Sequence, residues 1–104
     1  MSFNPNQDHS ISLAAAAAMT KDYYRDANPG ALIGGFFGKD ALQAILDQVE
    51  CVGIRYYYAL DSNDNPTLVL VGAKANEDDL VNGELADIAL PDPPNSSSPN
   101  ALNS

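Results

Sequence analysis

The chain has 104 residues, 45% of them hydrophobic, which suffices for one packed domain and is too much for a wholly unfolded chain. Fourteen acids against five bases give a formal charge of -9. That balance excludes non-specific binding to nucleic acid or to an anionic membrane surface, because both reward clustered Lys and Arg.

The charge is uneven: residues 1–74 hold eight acids and all five bases, and residues 75–104 hold six acids and no base. Such a block either keeps the protein soluble or meets a basic partner. The single cysteine, Cys51, excludes an intrachain disulfide framework and suits a reducing compartment.

In chain order, residues 1–9 are polar, contain Pro5 and are expected to be a flexible lead-in. The apolar run Ile11 to Met19 resembles a signal-peptide core, but no Lys or Arg precedes it, and its alanines make a weak membrane segment. A cytoplasmic protein is expected. Ser10 or Ser12 can cap a helix over about 12–27, with Leu13, Ala17, Thr20, Tyr24 and Ala27 on one stripe. Asn28-Pro29-Gly30 stops it.

Residues 31–37 are apolar but carry two glycines, and read as a short strand or an extended loop. Leu42, Ile45, Leu46 and Val49 predict an amphipathic helix over 39–49. Gly38 stands at its N-cap, and Phe37 and Leu42 have the spacing of a hydrophobic staple.

Residues 52–60 read as a strand with Val52, Ile54, Tyr56, Tyr58 and Leu60 on one face and Arg55, Tyr57 and Ala59 on the other. Asp61 to Pro66 is dense turn chemistry, and 67–73 is apolar on both faces, as in a central strand. A turn at 76–79 leads to Gly83 and a last strand at 84–90, and the Pro/Ser/Asn-rich residues 91–104 are expected to be a disordered tail. The fold class is α+β. One domain over 10–90 packs two helices on a small antiparallel sheet built around the 52–60/67–73 hairpin.

No chemistry-bearing motif completes itself. Gly38-Lys39 lacks the phosphate loop's leading glycine (position 33 is Ile) and has Asp40 where Ser or Thr must bind magnesium. Gly35-Phe36-Phe37-Gly38 matches only the bare pattern of a nucleic-acid clamp. Asp61, Asn63 and Asn65 begin a calcium loop, but Pro66 replaces its glycine and Gly72 its closing Glu.

One His (His9) and one Cys cannot make a four-ligand zinc site, and Glu50 beside Cys51 works against a thiolate. Glu77-Asp78-Asp79 reads as a solvated acidic surface. No catalytic residue, metal or cofactor is expected.

Arg25 and Arg55 stand among Tyr23, Tyr24, Tyr56, Tyr57 and Tyr58. An Arg between tyrosines either pairs with a nearby acid or grips an anion. Arg25, Arg55, Tyr24 and Tyr57 are therefore the candidate ligand-binding residues.

At ISL, YYR, GKDALQAILDQ, CVGIRYYYALD and LVLVG the chain resembles a group of small uncharacterised bacterial proteins, over roughly residues 10–80. The resemblance implies that Ile11 to Gly72 belong to one integral domain, and carries no activity with it.

Two functions follow as expectations. The first is a small acidic, non-catalytic protein-interaction domain with a basic protein partner. The alternative is a module that binds a small anion or sugar in a Tyr/Arg-lined pocket. Uncovered sheet edges and Tyr-rich faces also raise a homodimer.

Overall fold

A computed structural model describes residues 2–87 and 90–103. The elements are α1 (Leu13–Tyr24), β1 (Gly34–Phe36), α2 (Lys39–Leu46), β2 (Gly53–Leu60), β3 (Pro66–Ala73), β4 (Leu85–Ala86) and β5 (Leu90–Asp92). The fold is α+β, but the strands form two antiparallel sheets instead of one: β2-β3-β4, and the pair β1-β5.

Ser12 is the cap of α1, its Oγ accepting from the Ala15 N–H at 3.1 Å. Ser12→Ala is expected to cost about 1 kcal/mol in urea unfolding, the usual loss when an N-cap oxygen is removed. The helix ends three residues before the expected boundary, because the chain turns at Tyr24–Ala27 ahead of Asn28-Pro29. Of the expected stripe, Ala17 is buried and Thr20 and Tyr24 are half-buried, whereas Leu13 is exposed.

The helix that lies on the sheet is α2, which meets β2, β3 and β4. Gly38 is its N-cap and Asp40 sits in the first turn, where a carboxylate complements the helix dipole. Ile45 is its buried residue, at 1% exposure. Val49, expected on the same apolar face, is instead beyond the helix end and 86% exposed. The Ile45 carbonyl at this end accepts from the Gln48 Nε2 at 2.9 Å and from the Gln48 N–H at 3.4 Å, and Glu50 takes the left-handed conformation (φ 71), so the chain leaves the helix before Val49 can join its apolar face.

The hairpin keeps its expected alternation, with Gly53 opposite Ala73 and Leu60 opposite Pro66. Its loop is one residue shorter than expected because Pro66 joins β3. The Asp61 N–H donates to the Asn65 carbonyl at 2.9 Å, so odd-numbered residues of β2 exchange hydrogen bonds with β3. Pro66 therefore stands opposite Leu60 at a non-bonded position, where its missing N–H breaks no rung. Asp61 Oδ1 accepts from the N–H groups of Asn63 and Asn65, and Asp64 takes the left-handed conformation (φ 64) that closes the turn.

β3 is central, as expected, and Leu70, Val71, Gly72 and Ala73 are buried. The expected strand over 84–90 is divided: Leu85 and Ala86 pair with β3, while Leu90 belongs to β5. Positions 88 and 89 lie outside the described residues.

The chain beyond 90, expected as a tail, contributes Pro91 and Asp92 to β5, with the Ile33 N–H donating to the Asp92 carbonyl at 2.8 Å. Strand pairing draws on backbone groups and needs no apolar side chains, so composition concealed it. In the lead-in, the Phe3 N–H donates to the Ala75 carbonyl at 2.8 Å.

Candidate functional site

Alternation along β2 sends Arg55 and Tyr57 to one face and Tyr56 and Tyr58 to the other. On the first face a carboxylate waits. Past β3 the chain turns through Lys74 to Asp78, with Glu77 in the left-handed region (φ 77), and Asp79 returns to bridge Ala73.

Asp79 Oδ1 accepts from Arg55 Nη1, and Asp79 Oδ2 accepts from the Tyr57 hydroxyl at 2.5 Å. Arg55 Nη1 also donates to the Glu77 carbonyl at 2.8 Å, and the guanidinium carbon lies 4.9 Å from the centroid of the Phe3 ring. Arg55 and Asp79 keep only 26% and 16% of their side-chain surface exposed.

These contacts set the protonation states. The Tyr57 hydroxyl bond, helped by Arg55 and opposed by desolvation, holds the Asp79 carboxyl below its ordinary range. The same bond to a carboxylate holds the Tyr57 hydroxyl above the usual tyrosine range. Asp79 is thus a weakened base and Tyr57 a weakened acid. The Arg55–Asp79 pair cancels its own charge and offers an anion no net attraction, so its role in this geometry is to clasp the 74–79 turn to β2.

The sign of the pH dependence follows from those shifts. Asp79, lowered on folding, stabilises the fold above its unfolded value, and the contribution disappears as pH falls through the lowered one. Tyr57, raised on folding, stabilises below its unfolded value, and the contribution is lost as pH rises through the raised one. Thermal melts of Asp79→Asn should show a shallower acid limb than the wild type, and Tyr57→Phe a shallower alkaline limb. Limbs unchanged in both variants would mean that the Arg55–Asp79–Tyr57 contacts do not hold the turn to β2.

The four candidate residues do not converge on one pocket. Arg55 and Tyr57 meet on Asp79, as above. Arg25 forms an exposed pair with Asp22 at 3.3 Å, one helical turn away. The Tyr24 hydroxyl donates to the Leu102 carbonyl at 2.6 Å and its ring meets Tyr23 edge-on.

Asp79 lies hidden within an acidic run that reads as solvated surface; of that run Asp78 is exposed, and Glu77 and Asp79 are half-buried. Among the described residues no group of His, Cys, Asp and Glu could hold a metal, and no helix is long and apolar enough to cross a membrane. Cys51 is half-buried, its Sγ 3.2 Å from the Gly53 carbonyl oxygen.

On the other face of β2 lies an open hollow of about 410 Å³, set between the end of α1, the 32–37 stretch and the hairpin. Tyr23, Leu32, Ile33, Phe37, Tyr58 and Leu68 supply most of its lining. Tyr58 is 84% exposed and stacks edge-on with Tyr56 at 5.6 Å between centroids. Neither Leu32 nor Ile33 announced itself in the sequence, because their stretch had no clear period.

A second hollow of about 580 Å³ separates the lead-in from the start of β2, with Phe3, Pro5, His9 and Ile54 on its walls. Comparison of the chain with protein families, with curated proteins and with solved structures gives no match.

Proposed function

We propose that the chain is a non-catalytic protein-interaction domain, and that its partner presents a basic segment with an apolar side chain to the Tyr23/Tyr58 hollow. The observation that carries this reading is an apolar concavity with exposed tyrosine on its rim, on a molecule of formal charge -9. Tyrosine gives contact area at little entropic cost, and its ring faces attract cations.

Acids stand close by along the chain: Asp22 and Asp26 on either side of Tyr23, and Asp61 and Asp64 at the hairpin tip beyond Tyr58. The partner's apolar side chain fills the hollow, and its Lys and Arg meet these carboxylates. Long-range attraction speeds the encounter, and the hollow fixes the register.

The test uses a lysine-rich peptide bearing one leucine and one phenylalanine, with a glutamate-rich peptide of the same pattern as control. Heteronuclear NMR should show shifts at Tyr23, Ile33, Tyr58 and Leu68 with the basic peptide alone, weakening as salt is raised. Tyr58→Ala should reduce affinity about tenfold, the loss of roughly 1.4 kcal/mol expected for a contact aromatic. Equal shifts with the acidic peptide, or shifts scattered away from the hollow, would overturn the proposal.

A further inference from the structure

The outer edge of β2 carries an inference that stands apart from the hollow. Hydrogen-bond parity shows which backbone groups point outward. Asp61 N–H to Asn65 carbonyl at 2.9 Å, in the register that places Gly53 opposite Ala73, directs odd-numbered residues of β2 and β3 toward each other. On the far side of β3, the Gly72 carbonyl accepts from the Leu80 N–H at 2.9 Å, which confirms the same parity.

The N–H and C=O groups of Ile54, Tyr56, Tyr58 and Leu60 therefore face away from β3, and β2 is the sheet's edge. Among the described residues, no hydrogen bond from elsewhere in the chain reaches them.

Edges of this kind are usually protected by Lys, Pro, an inward charge or brevity. β2 has eight residues and none of those devices: Arg55 is its one charge, and that is offset by Asp79. The opposite edge of the sheet is handled differently, with Pro66 at the start of β3 and β4 further along.

We propose that β2 pairs with β2 of a second copy of this chain, antiparallel, about a two-fold axis at Tyr57. Two features bear on pairing with a second copy, charge permitting it and register selecting it. The first is charge: fourteen acids make like molecules repel, yet none lies in Gly53–Leu60, so this strand is where two copies can approach.

The second is register. With the axis at Tyr57, Ile54 faces Leu60 of the other copy and Tyr56 faces Tyr58. All four outward-facing residues are then bonded, each pair exchanging two hydrogen bonds. Arg55 faces Ala59, so no like charges oppose each other, and the Tyr56–Tyr58 pairs place aromatic side chains across the new seam. Sliding the register so that Tyr56 faces its own copy leaves Leu60 unpaired. The two hollows end on one face of a continuous six-stranded sheet, since each copy brings three strands.

Sedimentation equilibrium of the full chain alone, at about 10–100 μM, reads the association. Amide exchange by NMR reads its place. The wild type is expected to be a dimer in which the Ile54, Tyr56, Tyr58 and Leu60 amides exchange slowly.

Tyr56→Pro removes an outward N–H that β3 does not use, so the hairpin ladder keeps its bonds and the dimer is expected to weaken at least tenfold. Should the proline disturb the fold by circular dichroism, Tyr58→Glu places an acid on the bare strand and is expected to weaken association to the same degree.

A monomeric wild type, a dimer in which those four amides exchange freely, or variants that fold and dimerise like the wild type would each overturn the proposal. Protection of these amides only after a foreign peptide is added does so as well. No peptide enters the main experiment, so its result is independent of the hollow's.

Discussion

Gly72→Val is expected to destabilise the chain by about 2–3 kcal/mol, the upper part of the range for overpacking a closed site. Gly72 lies in the buried half of β3, opposite Ile54. A Cβ at this position would stand 3.0 Å from Cys51 Sγ, 3.0 Å from Gln48 Nε2 and 3.1 Å from Leu80 Cδ1. Gln48 and Cys51 belong to one turn, in which the Cys51 N–H donates to the Gln48 carbonyl at 3.1 Å, and Leu80 closes the site from the other side of the sequence, so shifting one neighbour does not clear the space.

Gln48 is also committed elsewhere: its Oε1 accepts from the Glu84 N–H at 2.8 Å while its Nε2 serves Ile45. Moving it would loosen both the end of α2 and the approach to β4. Gly72→Ala should cost about 1 kcal/mol, and Gly53→Ala, with no atom within 4 Å of the added methyl, should be close to neutral. The midpoint of urea unfolding orders the three variants. A Gly72→Val chain within about 0.5 kcal/mol of the wild type would mean that the packing around Cys51 and Gln48 is loose.

What could be read in advance was local. The Ser12 and Gly38 caps, the Asx turn at Asp61 and the opposition of Arg55/Tyr57 to Tyr56/Tyr58 each depend on a few neighbouring residues, and each has its expected place. The failures involve partners distant in sequence or bonds without a side-chain signature.

Asp79 reaches Arg55 across 24 positions, so it could not be separated from its solvated neighbour Asp78 by reading the run Glu77-Asp78-Asp79. β5 pairs with β1 through backbone groups in a segment whose composition argued against packing. Val49 kept the helical period, but α2 ends at Leu46 and the chain turns through the left-handed Glu50. The Tyr/Arg cluster was legible as a cluster. Its division into a charge-neutral clasp on one face and an apolar hollow on the other required the position of Asp79.

Ile45→Ala should remove about 3 kcal/mol, within the usual range for truncating a buried Ile to Ala. Two facts place it above other core substitutions. Ile45 is the only large side chain among the described residues with under 2% exposure, and the other buried apolar residues (Ala17, Leu70, Val71 and Ala73) are few and mostly small. It also belongs to α2, the helix that meets β2, β3 and β4.

Truncation leaves a void that the short helix cannot close without sliding over β3, so the loss combines transfer and cavity terms. Ile45→Val, which keeps the branch at Cβ, should lose about 1 kcal/mol. For a chain of this size the alanine variant's midpoint should fall by roughly 15 °C.

The consequence for function is specific, because Ile45 lines neither the Tyr23/Tyr58 hollow nor the outer edge of β2. Below its lowered midpoint, the Ile45→Ala chain should still associate and still take the basic peptide. A loss of less than about 1 kcal/mol would show that α2 is not what holds the three-stranded sheet in shape.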